Sequence, residues 1–115
     1  MGIDKKKYLA CTIDELKKLS SYGLELTIDE ISKQYFLIYR NNKVYSYLNR
    51  CPHTGVTLDW VPNQFMDSSH SYIQCATHGA LFRIENGHCL RGPCVGDQLE
   101  LVENSIFDGN IYLII

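Results

Sequence analysis

Short stretches of alternating apolar and polar residues occur along the chain. In residues 24–28, Leu24, Leu26 and Ile28 alternate with polar side chains. This two-residue period is typical of a strand that buries one face. Residues 7–11 are predicted to form a short first strand.

One helix is predicted between these two strands. Thr12 with Glu15 three residues later is a capping-box signature, in which each side chain accepts a hydrogen bond from the other residue's backbone N–H. An apolar stripe at helical spacing follows, formed by Ile13, Leu16 and Leu19. We expect a short helix that ends near Ser20.

The rest of the pattern predicts strands joined by turns. Asn41-Asn42 separates residues 34–40 from residues 43–48, which is a strong signal for a two-residue hairpin turn. Residues 59–69 contain a polar run and are interpreted as a loop. Further strands are predicted at residues 71–74, 80–84, 88–90, 98–103 and 109–115. The pattern therefore indicates an all-β fold with one short helix.

Composition and charge exclude several functional classes. The 115 residues fit a single domain over residues 1–115, long enough to bury a core. A formal net charge of -2 and a pI near 6.0 give no basic surface for nucleic acid or an anionic membrane. Because the sequence has no apolar run of roughly 18 residues, no membrane span is predicted and a cytoplasmic location is expected.

Two short segments each offer one thiol and one imidazole. The first begins with Cys51 and has His53 two residues later, and the second begins with Cys75 and has His78 three residues later. Four such ligands in matching pairs suit a metal centre. A glycine follows each pair and permits a sharp turn there, at Gly55 and Gly79.

These residues resemble the Rieske family, in which a [2Fe–2S] cluster has two Cys on one iron and two His on the other. By that resemblance, Cys51 and Cys75 hold the inner iron, and His53 and His78 hold the outer one. The segment between His53 and Cys75 is a few residues longer than is commonest in that family. The match is strongest over residues 44–99 and includes the downstream segments Leu81-Phe82-Arg83-Ile84-Glu85-Asn86-Gly87 and Arg91-Gly92-Pro93-Cys94.

The resemblance implies an antiparallel β-sandwich with an inserted cluster-binding subdomain at about residues 50–94. It also implies one [2Fe–2S] cluster per chain and a one-electron carrier, not an enzyme, whose redox partners are a reductase and an oxygenase or similar acceptor. Rieske proteins of respiratory and photosynthetic membranes carry an extra Cys in each ligand loop, joined as a disulfide. Here those places hold Val56 and Thr77 or Ala76, so the chain is similar to the soluble ferredoxin branch.

Other interpretations of the same residues are open. Structural zinc also takes two Cys and two His, although zinc fingers pair Cys with Cys and His with His, whereas each pair here is mixed. A Rieske-like domain could have lost its cluster, or could be a small non-catalytic subunit of a nitrite-reductase-like complex. An oxygenase would need a second iron site with two His and a carboxylate, and the two remaining histidines, His70 and His88, are expected at the surface.

Three of the five cysteines lie outside this candidate ligand set: Cys11, Cys89 and Cys94. An odd number of cysteines with metal-like spacing is typical of an intracellular protein and not of a disulfide framework. Cys89 and Cys94 are therefore expected to be free thiols, although their separation in sequence does not exclude a bridge.

Overall fold

The computed structural model describes residues 5–52, 55–59, 61–76 and 79–115. These residues form one helix and nine strands, which confirms the predicted all-β class with one short helix. In chain order the elements are β1 (Lys7–Thr12), α1 (Ile13–Leu19), β2 (Ser21–Ile28), β3 (Ile31–Arg40), β4 (Lys43–Leu48), β5 (Ile73–Gln74), β6 (Leu81–Phe82), β7 (Cys89–Arg91), β8 (Glu103–Phe107) and β9 (Asn110–Ile114). The strands form three antiparallel sheets, which we name the terminal sheet (β1-β9-β8), the central sheet (β2-β3-β4) and the small sheet (β5-β6-β7).

The helix begins at the predicted capping box. The backbone N–H of Glu15 donates to the Thr12 hydroxyl at 3.1 Å, and the backbone N–H of Thr12 donates to the Glu15 carboxylate at 3.2 Å. The Leu16 side chain is fully buried, and the backbone turns to a φ of 71° at Ser20, where the helix was predicted to end. No helix among the described residues is long and apolar enough to cross a bilayer.

Two-residue turns join the strands of the central sheet. Asn41 and Asn42 have φ values of 51° and 64°, which confirms the predicted hairpin between β3 and β4. Asp29 and Glu30 form a second turn of this kind, with φ values of 52° and 68°. The sequence did not predict this turn, because Glu is not a residue that favours positive φ. As a result β3 begins at Ile31, three residues earlier than expected.

The prediction of a strand over residues 98–103 is wrong. The strand in this part of the chain is β8, Glu103–Phe107, which pairs with β9. The preceding residues change partners within a few positions: the Leu99 N–H donates to the Gly87 carbonyl at 2.9 Å, whereas Leu101 makes an isolated bridge to β4. Leu99 is buried whereas Leu101 is exposed, so the alternation of leucines in this segment does not mark one buried face, and no continuous ladder forms.

Two buried clusters lie on opposite faces of the central sheet. Tyr35 and Leu37 of β3 belong to one cluster, and Phe36 and Ile38 belong to the other, because successive strand side chains point to opposite faces. We name the cluster of Phe36 and Ile38 the site core, since it also holds four cysteines: Cys51, Cys75, Cys89 and Cys94. The other, the terminal core, packs α1 and the terminal sheet against β2 and β3.

The predicted loop over residues 59–69 contributes to the site core. The Phe65 ring is fully buried and stacks on Phe36, with ring centroids 4.5 Å apart and an interplanar angle of 6°. The side-chain carbonyl of Asn63 accepts a hydrogen bond from the backbone N–H of Gly23 at 2.8 Å. The segment between the two cysteine loops is therefore fixed to the central sheet.

Replacing Phe65 by Ala should reduce the free energy of unfolding by roughly 3 to 5 kcal/mol, because the substitution leaves a cavity beside Phe36. Chemical denaturation followed by circular dichroism measures this loss. Phe107→Ala is the matched control, because the Phe107 side chain is 71% exposed, and this change should alter stability by less than about 1 kcal/mol. Equal losses for the two variants would contradict the assignment of Phe65 to the core.

Candidate metal centre

The first cysteine loop follows the end of β4. Cys51 is buried, with 2% of its surface exposed. Its backbone N–H donates to the Val56 carbonyl at 2.7 Å, and its carbonyl accepts from the Gly55 N–H at 2.8 Å. Gly55 has a φ of 77°, which glycine adopts at little steric cost. The exposed Arg50 side chain lies over this turn, with its Nε 3.4 Å from the place that a Cβ at Gly55 would occupy.

The second cysteine loop has the same construction. Cys75 is fully buried at the end of β5, and its backbone N–H donates to the Ala80 carbonyl at 2.9 Å. Its carbonyl accepts from the Gly79 N–H at 2.8 Å, and Gly79 has a φ of 68°. In both loops, therefore, the backbone N–H of the cysteine donates to the carbonyl five residues later, and the cysteine carbonyl accepts from the N–H of the glycine four residues later. The predicted sharp turns at the two glycines are confirmed.

Asn49 connects the two loops, and sequence reasoning missed it. Its side chain is buried and accepts a hydrogen bond from the backbone N–H of Leu58 at 2.8 Å, while its amide donates to Asp59 at 3.0 Å. The Leu58 carbonyl in turn accepts from the backbone N–H of Ala76 at 2.9 Å, next to the second cysteine. A buried polar side chain of this kind carries no signal in the sequence, because its role depends on partners distant in the chain.

The two candidate histidine ligands, His53 and His78, lie outside the described residues. The structure therefore describes the cysteine half of the candidate set and places Cys51 and Cys75 in the same core. The remaining histidines, His70 and His88, are exposed, as predicted.

The segment after β7 packs against the second cysteine loop. Gly92 has a φ of 106°, and a Cβ at this position would lie 2.9 Å from the Cα of Ala80. Such a contact with backbone leaves no room for a side chain. The next two residues differ in exposure, because Pro93 is exposed whereas Cys94 is buried. We name residues 91–95 the proline loop.

Cys94 places a third thiol close to the cysteine loops. Burial, a hydrogen bond to Cys89 and the nearby thiols of Cys89 and Cys51 together raise the pKa of this thiol to about 12. The Sγ atoms of Cys94 and Cys89 are 2.9 Å apart. Both cysteines are free thiols, as expected from the sequence. They are not isolated, however, because the fold brings them into contact.

Several solved structures with a similar fold are components of carbazole 1,9a-dioxygenase. The ferredoxin of carbazole 1,9a-dioxygenase from Nocardioides aromaticivorans IC177 superimposes with a TM-score of 0.71 at 19% identity, over 94% of this chain and 96% of that chain. The terminal oxygenase of carbazole 1,9a-dioxygenase from Novosphingobium sp. KA1 gives a TM-score of 0.77 at 22% identity, over 97% of this chain but 30% of that chain. At these identities the similarity establishes the fold.

A third structure of this fold is a complex of reduced oxygenase and oxidized ferredoxin in carbazole 1,9a-dioxygenase. The matched chain aligns with a TM-score of 0.70 at 16% identity, over 93% of this chain and 91% of that chain. A sequence search of the curated proteins gave no match.

The described residues suit a cluster that is held in part by thiolates. Cys51 and Cys75 are buried in one core, and each begins a glycine-closed turn of the same hydrogen-bonded form. The family model of the Rieske [2Fe-2S] domain matches residues 6–105, which is most of the chain. The cofactor is accordingly a [2Fe–2S] cluster, the role is one-electron transfer, and the chain belongs to the Rieske [2Fe–2S] domain family.

Proposed function

We propose that Cys51, His53, Cys75 and His78 hold one [2Fe–2S] cluster. The observation that supports this most directly is the identical backbone closure of the two loops, which gives each cysteine the same surroundings. Both cysteines are also buried in the site core, where two ligands of one iron would have to meet. The bound cluster would accept and release one electron, while the chain keeps both thiolates buried and their loops fixed.

The protein would act as a carrier between a reductase and an oxygenase or similar acceptor. The chain has the fold of the ferredoxin of an oxygenase system, and this likeness supports the carrier role. The match to the Rieske domain also argues against the alternative of structural zinc. We place the carrier in the cytoplasm, where the thiols outside the ligand set, those of Cys11, Cys89 and Cys94, would remain reduced.

The docking surface would surround the two histidines. Of the residues expected to form its rim, Gly55, Gly79 and Pro93 are exposed and Pro52 is half-buried. Val95, at the end of the proline loop, adds an apolar side chain that is 64% exposed. A small patch of this kind suits the brief contact of redox partners, which buries little area. The charge of Arg50 at its edge would favour an acidic group on the partner.

The purified protein should contain two irons and two acid-labile sulfides per chain and should be red-brown. Cys51→Ser and Cys75→Ser should each abolish the colour, because a serine hydroxyl is a harder ligand than a thiolate. Cys11→Ser is the control, since Cys11 belongs to the terminal core, and it should keep the cluster. One zinc without sulfide in the metal analysis would refute the proposal.

Gly92→Ala should weaken cluster retention, because the added Cβ would push the proline loop away from Ala80. Gly96→Ala is a matched control: Gly96 has a similar φ of 100°, but a Cβ there meets nothing within 4 Å. Both variants therefore carry the same backbone strain, of about 1 kcal/mol or more, and only the first disturbs the loop contact. Absorbance of the cluster during incubation with an iron chelator measures retention. Equal bleaching rates would show that the contact with Ala80 does not support the site.

Val95→Glu should slow electron transfer to the acceptor by about tenfold, equivalent to roughly 1.4 kcal/mol, because a charge would have to be desolvated in the patch. The visible spectrum should not change. Ile106→Glu is the control, since Ile106 is a similarly exposed aliphatic residue in the terminal sheet. Stopped-flow mixing of reduced carrier with oxidised acceptor measures the rate. A similar loss of rate for both variants would place the docking surface elsewhere.

A further inference from the structure

Cys89 and Cys94 form a pair of buried thiols outside the candidate ligand set. Their Sγ atoms are 2.9 Å apart, with the Cys94 thiol donating to Cys89. A disulfide has an S–S length of about 2.05 Å, so a covalent bond requires a further approach of less than about 1 Å. The two residues are already placed for oxidation.

The backbone, and not a side-chain rotamer alone, brings the pair together. The Cys89 N–H donates to the Asp97 carbonyl at 3.0 Å, and the Asp97 N–H donates to the Cys94 carbonyl at 2.9 Å. The backbone of Asp97 is therefore hydrogen-bonded to the backbone of both cysteines. An isolated bridge between His88 and Gln98 extends the same pairing by one step.

We propose that Cys89 and Cys94 are a redox-sensitive modification site, a dithiol that a hydroperoxide oxidises to an intramolecular disulfide. The oxidant belongs to a class of small molecules that can reach a nearly buried sulfur, and hydrogen peroxide is its simplest member. Cys89 is the residue oxidised first, because it is 6% exposed whereas Cys94 is 1% exposed. It also accepts the hydrogen bond from Cys94, which stabilises charge on its sulfur.

The reaction proceeds in two steps that balance. The Cys89 sulfur attacks one peroxide oxygen, the O–O bond breaks, and the products are a sulfenic acid and an alcohol, or water in the case of hydrogen peroxide. The Cys94 sulfur then attacks the sulfenic sulfur, the S–O bond breaks, and water leaves as the S–S bond forms. Two electrons have passed from the two sulfurs to the peroxide oxygens. Two thiol hydrogens leave in the water and alcohol.

Closure of this bond would restrain the proline loop. The ring would enclose residues 89–94, including Gly92, which packs on Ala80 beside the second cysteine loop. A covalent ring limits the open states of such a loop. Oxidation should therefore slow the opening of the loop over the cluster. This consequence rests on the proposed cluster site, whereas formation of the disulfide does not.

The test uses the cluster-loaded protein, treated with increasing hydrogen peroxide while the visible absorbance is recorded. After free thiols are alkylated, the protein is denatured and digested with trypsin, which cuts after Arg83 and Arg91. The disulfide would join the peptides of residues 84–91 and 92–115, and mass spectrometry should find this species before the absorbance falls. Absence of the linked peptides at doses that spare the cluster would overturn the proposal.

Single variants test the order of the two steps. In Cys94→Ser, peroxide should leave a sulfenic acid on Cys89 that dimedone traps, because the second thiol is missing. In Cys89→Ser, trapping at Cys94 should be several-fold lower. Cys11→Ser should still give the linked peptides, since Cys11 is a buried cysteine in the other core. Equal trapping on Cys89 and Cys94 would overturn the assigned order.

The effect on the loop is measured separately. In the unaltered chain, peroxide treatment should make iron removal by a chelator several-fold slower. In the Cys89→Ser, Cys94→Ser double variant, the same treatment should leave the rate of iron removal unchanged. Equal rates before and after disulfide formation would refute the restraint of the loop. A failure of the proposed cluster site would be seen differently, as missing iron and sulfide in the untreated protein.

Discussion

Burial of β3 on both faces is the constraint on which the rest of the structure depends. The four residues from Tyr35 to Ile38 are each at most 4% exposed and alternate between two cores. A strand of this kind needs a covering layer on each side. The terminal sheet and α1 provide one layer, and the small sheet with the cysteine loops provides the other. The loops of the candidate metal centre are therefore part of the hydrophobic core, because they complete the layer that buries Phe36 and Ile38.

This arrangement explains how short loops can hold a metal centre in a defined position. Each loop is closed by two backbone hydrogen bonds, and Asn49 with Leu58 links one loop to the other. The proline loop packs on Ala80 through Gly92 and brings Cys94 close to Cys51. Ligands supported by hydrogen-bonded neighbours and by a rigid sheet keep their geometry better than ligands on free loops. The same closeness gives the Cys89–Cys94 thiols their contact.

Features that depend on residues close in sequence were predictable from the sequence. The capping box joins Thr12 to Glu15, three residues later, and the hairpin turn is formed by two adjacent residues, Asn41 and Asn42. The two cysteine loops also belong here, since their glycines and hydrogen bonds span six residues. The sequence thus determined the all-β class, the helix, the main hairpin and the two turns that carry the cysteines. The ligand roles of His53 and His78 stay predictions, as does a subdomain at about residues 50–94.

Tertiary structure decided the features whose partners are distant in the chain. Phe65 lies in a polar segment, and it is buried because its ring stacks on Phe36 within the site core. Residues 98–102 have the alternation of a strand but change neighbours too soon to form one. In each case the local pattern does not state which side chains are buried, because burial depends on partners that only the closed core supplies.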